Sequence, residues 1–373
     1  MLEVVIPVRV VAGLNVKKEF FMIRKASKKT FTVIPRDYLS TGSTGLDLSI
    51  SALKAPLGGI PTSRIVEFSG TGAAGKSYIC GEIAGSAIRK KYKVFVDDIE
   101  RRWDLSRLPT FGFDMYDPLF TYFDPPSSSV EGCFERMFSV LDKGKGDEGI
   151  VYIIDPIAAL YSEVELTHSD KMGQARAKAL QRNMRYLKDR VNDKNRSILI
   201  LFSNQLIDEV GKALFGKAKM IQARSGPSQV TPGGNAMKHW PSVRVRFKQI
   251  QKITNKSKLT TSELSTVDGV SIGATIVKNS EDNPHRQCIF TIKYGYGIDD
   301  IKDNASWLKK YTKALNGKKK TGDGWFFFEG TYTYSLSKFV KFVEENDLEL
   351  SLRQLVAEHY RTIYSPESRK KKY

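Results

Sequence analysis

An eight-residue glycine-rich segment carries the clearest chemistry in this sequence of 373 residues. It has the form G-x-x-x-x-G-K-S and consists of Gly70, Thr71, Gly72, Ala73, Ala74, Gly75, Lys76 and Ser77. The backbone N–H groups of such a loop can surround a chain of phosphates. The lysine can reach the β- and γ-phosphates, and the serine hydroxyl can bind Mg²⁺. The segment therefore predicts a nucleoside-triphosphate site.

The residues on both sides of this segment have the pattern that such a loop requires. Residues 64–68 before it are mostly apolar and predict a strand, and residues 78–84 after it predict the first turns of a helix. A helix that begins at the loop adds the positive end of its dipole to the phosphate site. A glycine-rich turn that binds no nucleotide is the alternative, and both flanks argue against it.

Four polar side chains at the ends of other apolar runs could complete the site. Asp155 directly follows one run and could hold Mg²⁺ through a bound water. Glu100 follows another and is the first candidate for the base that activates an attacking water, with Asp98 as the second candidate. Gln205 ends a third run and could hydrogen-bond a γ-phosphate. For the acids, the alternative is that they only solvate strand ends.

The elements that must position these residues alternate between short apolar runs and longer helical stretches such as 171–191. The clearest strands are predicted at 65–68, 93–96, 150–154 and 197–202. Their continuous apolar character is typical of strands covered on both faces, which predicts an α/β fold with a mostly parallel central sheet. Because ligands bind at the carboxyl ends of such strands, we expect the strand at 93–96 to end beside the strand at 65–68.

Other regions flank this predicted core. Three apolar runs predict antiparallel strands, at 243–247, 273–277 and 288–292. The residues before the core are basic and rich in apolar runs, which favours a small β-rich appendage, and those after Gly297 favour a shorter α+β domain. The predicted domains are residues 1–38, 39–298 and 299–373.

The composition limits the partners. A formal net charge of +18 indicates a polyanionic partner, either nucleic acid or an anionic membrane surface, although a merely soluble basic protein is the alternative. The three cysteines form no C-x-x-C pair, which disfavours a disulfide or zinc site and fits a reducing cytosol. No run approaches the roughly 20 apolar residues of a membrane span, so we expect a soluble intracellular protein.

Taken in order, the motifs between residues 39 and 298 resemble the core of the RecA recombinase family. Residues 39–47 resemble its entry, 98–104 the segment with its catalytic glutamate, and 155–160 its Walker B strand. Asn204 and Gln205 resemble its phosphate-sensing pair, 233–238 the end of its second DNA-binding loop, and 277–279 a subunit-interface strand. The resemblance implies a RecA-type P-loop NTPase core, with ATP and Mg²⁺ as cofactors. It implies catalytic roles for Glu100, Lys76, Gln205 and Lys278.

The resemblance also implies a function. The protein would form a helical filament on single-stranded DNA and catalyse homologous pairing and strand exchange with double-stranded DNA, in recombination and repair. Residues 1–38 would serve self-association, and mediator and single-strand-binding proteins are expected partners. The DNA-binding candidates are Met172, Val210, Lys212, Phe215, Lys217, Lys219, Arg224, Gly233, Gly234 and Asn235. Cations in residues 206–232 suit phosphates and apolar side chains suit bases, but composition alone equally allows a surface loop.

The sequence departs from the family pattern at several positions. Ser280 stands where the bacterial family usually has a second interface lysine, which Arg286 could replace, and His239 stands where a bulky aromatic residue is usual. Residues 206–232 are longer than usual, and the chain ends basic. The flanking segments match poorly, which favours a divergent bacteriophage member acting in the host cytoplasm. A hexameric helicase or motor on the same fold, or a mediator that binds ATP without hydrolysis, remain the alternative functions.

Overall fold

The structure is a computed structural model that describes residues 37–144, 148–167, 174–193, 196–208, 229–256, 265–317 and 324–365. The described residues belong to one compact unit of the chain, Val33–Tyr373. The predicted appendage at 1–38 therefore lies outside the described residues except at its last two positions.

The described strands and helices are introduced here in chain order. The strands are β1 (Tyr38–Leu39), β2 (Ile60–Pro61), β3 (Arg64–Gly70), β4 (Lys93–Asp98), β5 (Phe120–Tyr122), β6 (Ile150–Asp155), β7 (Ile198–Gln205), β8 (Ile207–Asp208), β9 (Gln229–Val230), β10 (Val243–Lys256), β11 (Ser265–Asn279), β12 (Gln287–Lys293), β13 (Gly297–Ile298), β14 (Trp325–Phe328) and β15 (Thr331–Tyr334). The α-helices are α1 (Thr44–Ser51), α2 (Lys76–Arg89), α3 (Val130–Lys143), α4 (Glu163–Thr167), α5 (Gln174–Val191), α6 (Gly234–His239), α7 (Asp300–Tyr311), α8 (Leu336–Glu345) and α9 (Glu349–Tyr364). Short 3₁₀ helices occur at Leu105–Phe111 and Ile157–Ala159.

One large sheet organises the described residues. It has nine strands in the order β13-β12-β11-β10-β3-β7-β6-β4-β5. Every neighbouring pair from β10 to β5 is parallel, and the pairs from β10 to β13 are antiparallel. The expected α/β fold with a mostly parallel central sheet is confirmed, together with the antiparallel strands that extend it.

The strands predicted from the sequence correspond to β3, β4, β6 and β7, and the predicted helix corresponds to α5, which begins at Gln174. The expected position of β4 was wrong. It does not lie beside β3, because β7 and β6, which come later in the chain, insert between the two strands. Apolar patterning indicates that a strand is buried, but the order of strands depends on contacts between distant segments.

Both faces of the sheet are covered, which explains the continuous apolar runs. On β6, Val151 and Ile153 pack in the cluster that contains Ile79 of α2. The alternate residues Tyr152 and Ile154 pack in a second cluster, with α3 and α5. Since successive side chains of a strand point to opposite faces, every position of β6 must be apolar until the strand reaches Asp155.

The C-terminal segment has a smaller core of its own. Leu308 of α7, Phe339 of α8 and Val356 of α9 pack together with the hairpin β14–β15. Leu48 of α1 and Ala52, which directly follows this helix, belong to the same cluster. The α+β region after residue 298 therefore shares apolar contacts with α1.

Candidate nucleotide-binding site

The phosphate-binding loop connects β3 to α2. Gly75 has a φ of +78°, a left-handed conformation that glycine adopts without steric cost, and α2 begins at the next residue. A Cβ on Gly70 would lie 2.7 Å from the carbonyl oxygen of Phe247, so the other end of the loop also requires glycine. Since Gly75 offers no side chain to cap α2, the first N–H groups of the helix remain available to phosphate oxygens.

The Lys76 side chain turns back into the loop that precedes it. Its Nζ donates hydrogen bonds to the carbonyl oxygens of Gly70 at 3.0 Å and Thr71 at 2.8 Å. Burial lowers the pKa of the Lys76 amine, and the nearby carboxylates of Asp155 and Glu100 oppose that shift. The amine is thus held inside the loop at the point where a phosphate chain would be bound.

The predicted base and the predicted sensor are in contact. Gln205 Nε2, at the end of β7, donates a hydrogen bond to Glu100 Oε1 at 3.0 Å. The other carboxylate oxygen, Glu100 Oε2, lies 3.2 Å from Arg102 Nη1. The sequence reasoning did not single out Arg102, because its role depends on a contact that no motif encodes.

Asp98 and Asp155 lie side by side at the ends of β4 and β6, where they are Cα partners. Asp98 Oδ2 accepts hydrogen bonds from the Trp103 backbone N–H at 2.7 Å and from the Tyr122 hydroxyl at 3.0 Å. Asp155 Oδ2 accepts one from the indole Nε1 of Trp103 at 2.8 Å. Because Asp98 already fixes the segment that carries Glu100, this geometry favours Glu100 over Asp98 as the candidate base.

These groups surround one cavity of about 480 Å³ at the carboxyl ends of the strands. The predicted site residues that line it are Gly72, Ala73, Ala74, Gly75, Lys76, Ser77, Asp98, Glu100, Asp155 and Gln205. They come from four segments that are distant in sequence. The fold therefore assembles the candidates that separate motifs identified.

The remaining wall of the cavity was missed by sequence reasoning. It includes Tyr78, Arg102, Arg107, Thr110, Tyr294 and Tyr296. The two last residues follow β12, on the antiparallel side of the sheet, and meet the phosphate loop only because β10, β11 and β12 extend the sheet past β3. Exposed tyrosines in a turn gave no local pattern to identify them.

The donor set suits Mg²⁺ shared with a nucleotide. Ser77 offers a hydroxyl and Asp155 carboxylate oxygens, the hard donors that this ion prefers, on the wall of the same cavity. Within the described residues, no group of three or more His, Cys, Asp or Glu side chains could hold a metal ion. A site of this kind fits an ion that takes its other ligands from phosphates and water.

A buried polar cluster connects β3 and β7 to the segment that precedes α6. Glu67 is fully buried and accepts hydrogen bonds from Asn204 Nδ2 at 2.8 Å and from Arg244 Nε. Asn204 also donates to the carbonyl oxygen of Pro232 at 3.1 Å, and Arg244 Nη2 to the hydroxyl of Thr231 at 3.1 Å. Neither Glu67 nor Arg244 was predicted as a site residue.

Lys278 lies outside the nucleotide cavity of its own subunit. Its Nζ donates to the carbonyl oxygen of His239 at 2.6 Å, at the end of α6. Burial and the neighbouring Arg244 lower the pKa of the Lys278 amine, while Glu67 opposes this shift. The chain thus does not bring Lys278 together with Lys76 and Glu100.

Most of the DNA-binding candidates lie outside the described residues. Those are Met172, Val210, Lys212, Phe215, Lys217, Lys219 and Arg224. Gly233, Gly234 and Asn235 form the start of α6, directly after Thr231 and Pro232. These three candidates are therefore adjacent to the cluster around Glu67.

Arg286 is engaged within its own subunit. Its guanidinium forms two hydrogen bonds with the Asp282 carboxylate, at 2.8 and 3.0 Å. The Arg286 side chain is 5% exposed and lies near the rings of Tyr360 and Tyr364. This arrangement argues against Arg286 as the replacement for the second interface lysine.

Known proteins resemble this chain over most of its length. A family model described as the RecA N-terminal domain matches residues 17–299. The chain belongs to the RecA family. It is 28% identical over 300 residues to Protein RecA of Gluconobacter oxydans, covering 79% of this chain and 75% of that protein. It is 27% identical over 333 residues to Protein RecA of Clostridioides difficile, covering 88% and 84%.

Membership of the RecA family identifies the chain, at family level, as a RecA-like recombinase. The family match includes the phosphate loop, Glu100, Asp155 and Gln205. In the part of the chain that the structure describes, no helix is long and apolar enough to cross a membrane.

Proposed function

We propose that this protein is a DNA-dependent ATPase that forms helical filaments on single-stranded DNA and catalyses homologous pairing and strand exchange. One observation carries the proposal. Lys76, Ser77, Glu100, Asp155 and Gln205 come from distant segments and line a single cavity at the end of a RecA-family sheet.

The cavity residues divide the chemistry of hydrolysis among them. The loop N–H groups and Lys76 bind the phosphates, and Glu100 accepts the proton of the attacking water. Ser77 and, through a water, Asp155 would hold Mg²⁺, which neutralises charge on the phosphates when it is bound. Gln205 contacts Glu100 at 3.0 Å and is thus positioned to respond to the γ-phosphate beside the base.

The cluster around Glu67 supports coupling between ATP and DNA. Asn204 precedes Gln205 and is bonded to both Glu67 and Pro232. A shift of the β7 end on ATP binding would therefore reach Gly233–Asn235 through hydrogen bonds. Residues 206–232, which begin directly after Gln205, carry the cations and apolar side chains proposed to contact the DNA backbone and bases.

In the proposed filament, the remaining regions have separate roles. Residues 1–38 would mediate self-association, residues 39–298 form the ATPase core, and residues 299–373 form the C-terminal domain. Lys278, which lies outside its own cavity, would act on ATP of the neighbouring subunit. Single-stranded DNA would bind first and double-stranded DNA second, with mediator and single-strand-binding proteins as partners. We further infer a bacteriophage origin and action in the host cytoplasm, from the departures outside the core.

Electron microscopy with single-stranded DNA and a slowly hydrolysed ATP analogue tests this proposal. Long helical filaments are expected with the wild-type protein, and they should be absent with Lys76→Ala. Closed rings on the DNA would overturn the recombinase assignment in favour of a hexameric motor. Filaments and DNA function that persist in Lys76→Ala would instead indicate a mediator that does not depend on ATP.

A further inference from the structure

We propose that Trp103 is a positioning residue for the metal site: its indole N–H orients the Asp155 carboxylate toward Mg²⁺-nucleotide. This inference rests on the proposed function, because it assigns a role at the same nucleotide cavity. It goes beyond that function because Trp103 is not part of the phosphate loop and is not the base, the sensor or a metal ligand. Its role would be to set how strongly Mg²⁺ assists nucleotide binding.

The contact between Trp103 and Asp155 is short and partly buried. Trp103 Nε1 donates to Asp155 Oδ2 at 2.8 Å, and Asp155 is only 5% exposed. The indole ring packs against the apolar cluster on the α2 face of the sheet. Because Oδ2 accepts this hydrogen bond, the indole restrains the carboxylate, and Oδ1 is the oxygen that would accept a hydrogen bond from a metal-bound water.

Trp103 is itself held in place by a second carboxylate. Its backbone N–H donates to Asp98 Oδ2 at 2.7 Å, and the Tyr122 hydroxyl donates to the same oxygen at 3.0 Å. Burial raises the pKa of Tyr122 to about 12, so this hydroxyl remains a donor near neutral pH. A series of hydrogen bonds therefore connects Tyr122 on β5 to Asp98 on β4, Asp98 to Trp103, and Trp103 to Asp155 on β6.

The position of Trp103 along the chain also links the metal site to the base. Trp103 follows Glu100 by three residues, and Asp98 precedes Glu100 by two. One short segment therefore fixes the orientation of Asp155 and carries the carboxylate that contacts Gln205. Hydrogen-bond partners behind a direct metal ligand change metal affinity by about 10–100-fold when they are removed. Because Asp155 would hold Mg²⁺ through a water, we expect the effect of the indole donor to lie near the lower end of that range.

The test compares Trp103→Phe with Trp240→Phe. Both substitutions keep an aromatic ring and delete an indole N–H, and in the control that N–H donates to Gln181 at 3.3 Å, away from the nucleotide cavity. Binding of a fluorescent ADP analogue is measured in EDTA and at increasing Mg²⁺ concentration. We expect Trp103→Phe to bind the analogue in EDTA like the wild type, but to need at least about tenfold more Mg²⁺ for half-maximal tightening. Trp240→Phe should match the wild type in both conditions.

Intrinsic tryptophan fluorescence gives a second readout that does not depend on turnover. Mg²⁺-ADP should change the emission of the wild-type protein and of Trp240→Phe, and this change should be lost in Trp103→Phe. If Trp103→Phe does not fold, as judged by circular dichroism, Tyr122→Phe decides, because it removes the hydroxyl that supports Asp98. We expect Tyr122→Phe to raise the Mg²⁺ requirement in the same direction and by a smaller factor.

The role of Trp103 is overturned if the wild type and Trp103→Phe need the same Mg²⁺ concentration. If Trp103→Phe does not fold, the same comparison is made with Tyr122→Phe. A failure of the proposed function looks different. If the cavity does not bind nucleotide, the wild-type protein itself would show no binding of the ADP analogue, with or without Mg²⁺. If the protein is a hexameric motor, the analogue would still bind and electron microscopy would show closed rings on DNA.

Discussion

The amide of Gln205 donates a hydrogen bond to the carboxylate of Glu100 across 3.0 Å, so the end of β7 is tied to the segment that follows β4. An amide that turns toward a γ-phosphate must weaken its bond to Glu100. Glu100 Oε1 then loses this donor and can accept a proton from water, while Oε2 remains beside Arg102. We propose that nucleotide state and DNA contact change together, because residues 206–232 begin directly after Gln205.

Replacing Glu100 by Gln should stop turnover while leaving binding intact. The substitution keeps the side-chain shape and removes the proton acceptor, so ATP hydrolysis should fall by about 100-fold or more. Hydrolysis is measured with saturating single-stranded DNA, and ATP and DNA binding are measured separately. The exposed residue Glu135 on α3 provides a matched control as Glu135→Gln. Wild-type turnover in Glu100→Gln would exclude Glu100 as the base.

Replacing Gln205 by Ala should separate ATP binding from DNA binding. The variant keeps the phosphate loop and should bind nucleotide with near wild-type affinity. Because the contact with Glu100 is lost, a slowly hydrolysed ATP analogue should no longer strengthen binding to single-stranded DNA by the roughly 5- to 150-fold that is typical of coupled sites. Fluorescence anisotropy with labelled DNA measures this ratio. Gln354→Ala, on the exposed face of α9, is the control. If Gln205→Ala shows the same ratio as this control, Gln205 does not couple ATP binding to DNA binding.

The buried pair Glu67–Arg244 makes a prediction about stability. Glu67 is fully buried and the Arg244 side chain is 14% exposed, so Glu67→Ala leaves a buried cation without its partner. The free energy of unfolding should fall by about 3–5 kcal/mol, as measured by urea denaturation. The double substitution Glu67→Met with Arg244→Met removes both charges and should recover much of that loss. A double variant that is less stable than Glu67→Ala would show that the charges themselves are favourable.

Glu82 on α2 should make the protein less stable as the pH rises. Burial, reinforced by Asp47 and Asp300 and opposed by Arg89, raises the pKa of Glu82 from 4.5 to about 7. Between these values the folded state holds a proton that the unfolded state releases. The resulting stability is fully present below pH 4.5 and is lost as the pH rises through 7.

Glu82→Gln tests this pH dependence. At pH 8 the variant should exceed the wild type in free energy of unfolding by an amount on the order of 2 kcal/mol, and near pH 5 the advantage should largely disappear. Urea unfolding at both pH values measures the difference. The same experiment with the exposed Glu135→Gln should show no dependence on pH, and an identical result for both variants would refute the role of Glu82.

Lys217 and Lys219 are expected to contact DNA phosphates. The double substitution to Ala should weaken binding equally on different DNA sequences, and it should reduce the slope of log K against log salt by about 1 to 2. Anisotropy titrations at several salt concentrations measure the slope. Lys54 and Lys143, which are both exposed on the surface of residues 39–298, serve as the control pair. If the control substitutions reduce the slope by as much, DNA must bind elsewhere on the protein.

The sequence predicted what local patterns can encode. The phosphate loop has its own backbone requirements at Gly70 and Gly75, and buried strands such as β6 must be apolar throughout, so both were identifiable without a structure. The antiparallel extension and the α/β class followed in the same way.

What the sequence could not predict depends on contacts between distant segments. Nothing near Trp103 indicates that its indole reaches Asp155, and nothing near Tyr294 places that ring on the cavity wall. The sequence also did not indicate that β6 and β7 lie between β3 and β4. Nor did it indicate that Arg286 binds Asp282. These features arise from tertiary packing, which residue spacing does not record.

The buried carboxylate of Glu67 also has an evolutionary consequence. Through Asn204 and Arg244 it fixes Pro232 and Thr231 to the sheet, and residue 206 continues directly from β7. Both ends of the segment between them are therefore anchored, and the entropic cost of lengthening it grows only with the logarithm of its length. Under the proposed function, a lineage could insert or delete residues there to suit a new DNA substrate without changing the geometry of the nucleotide cavity.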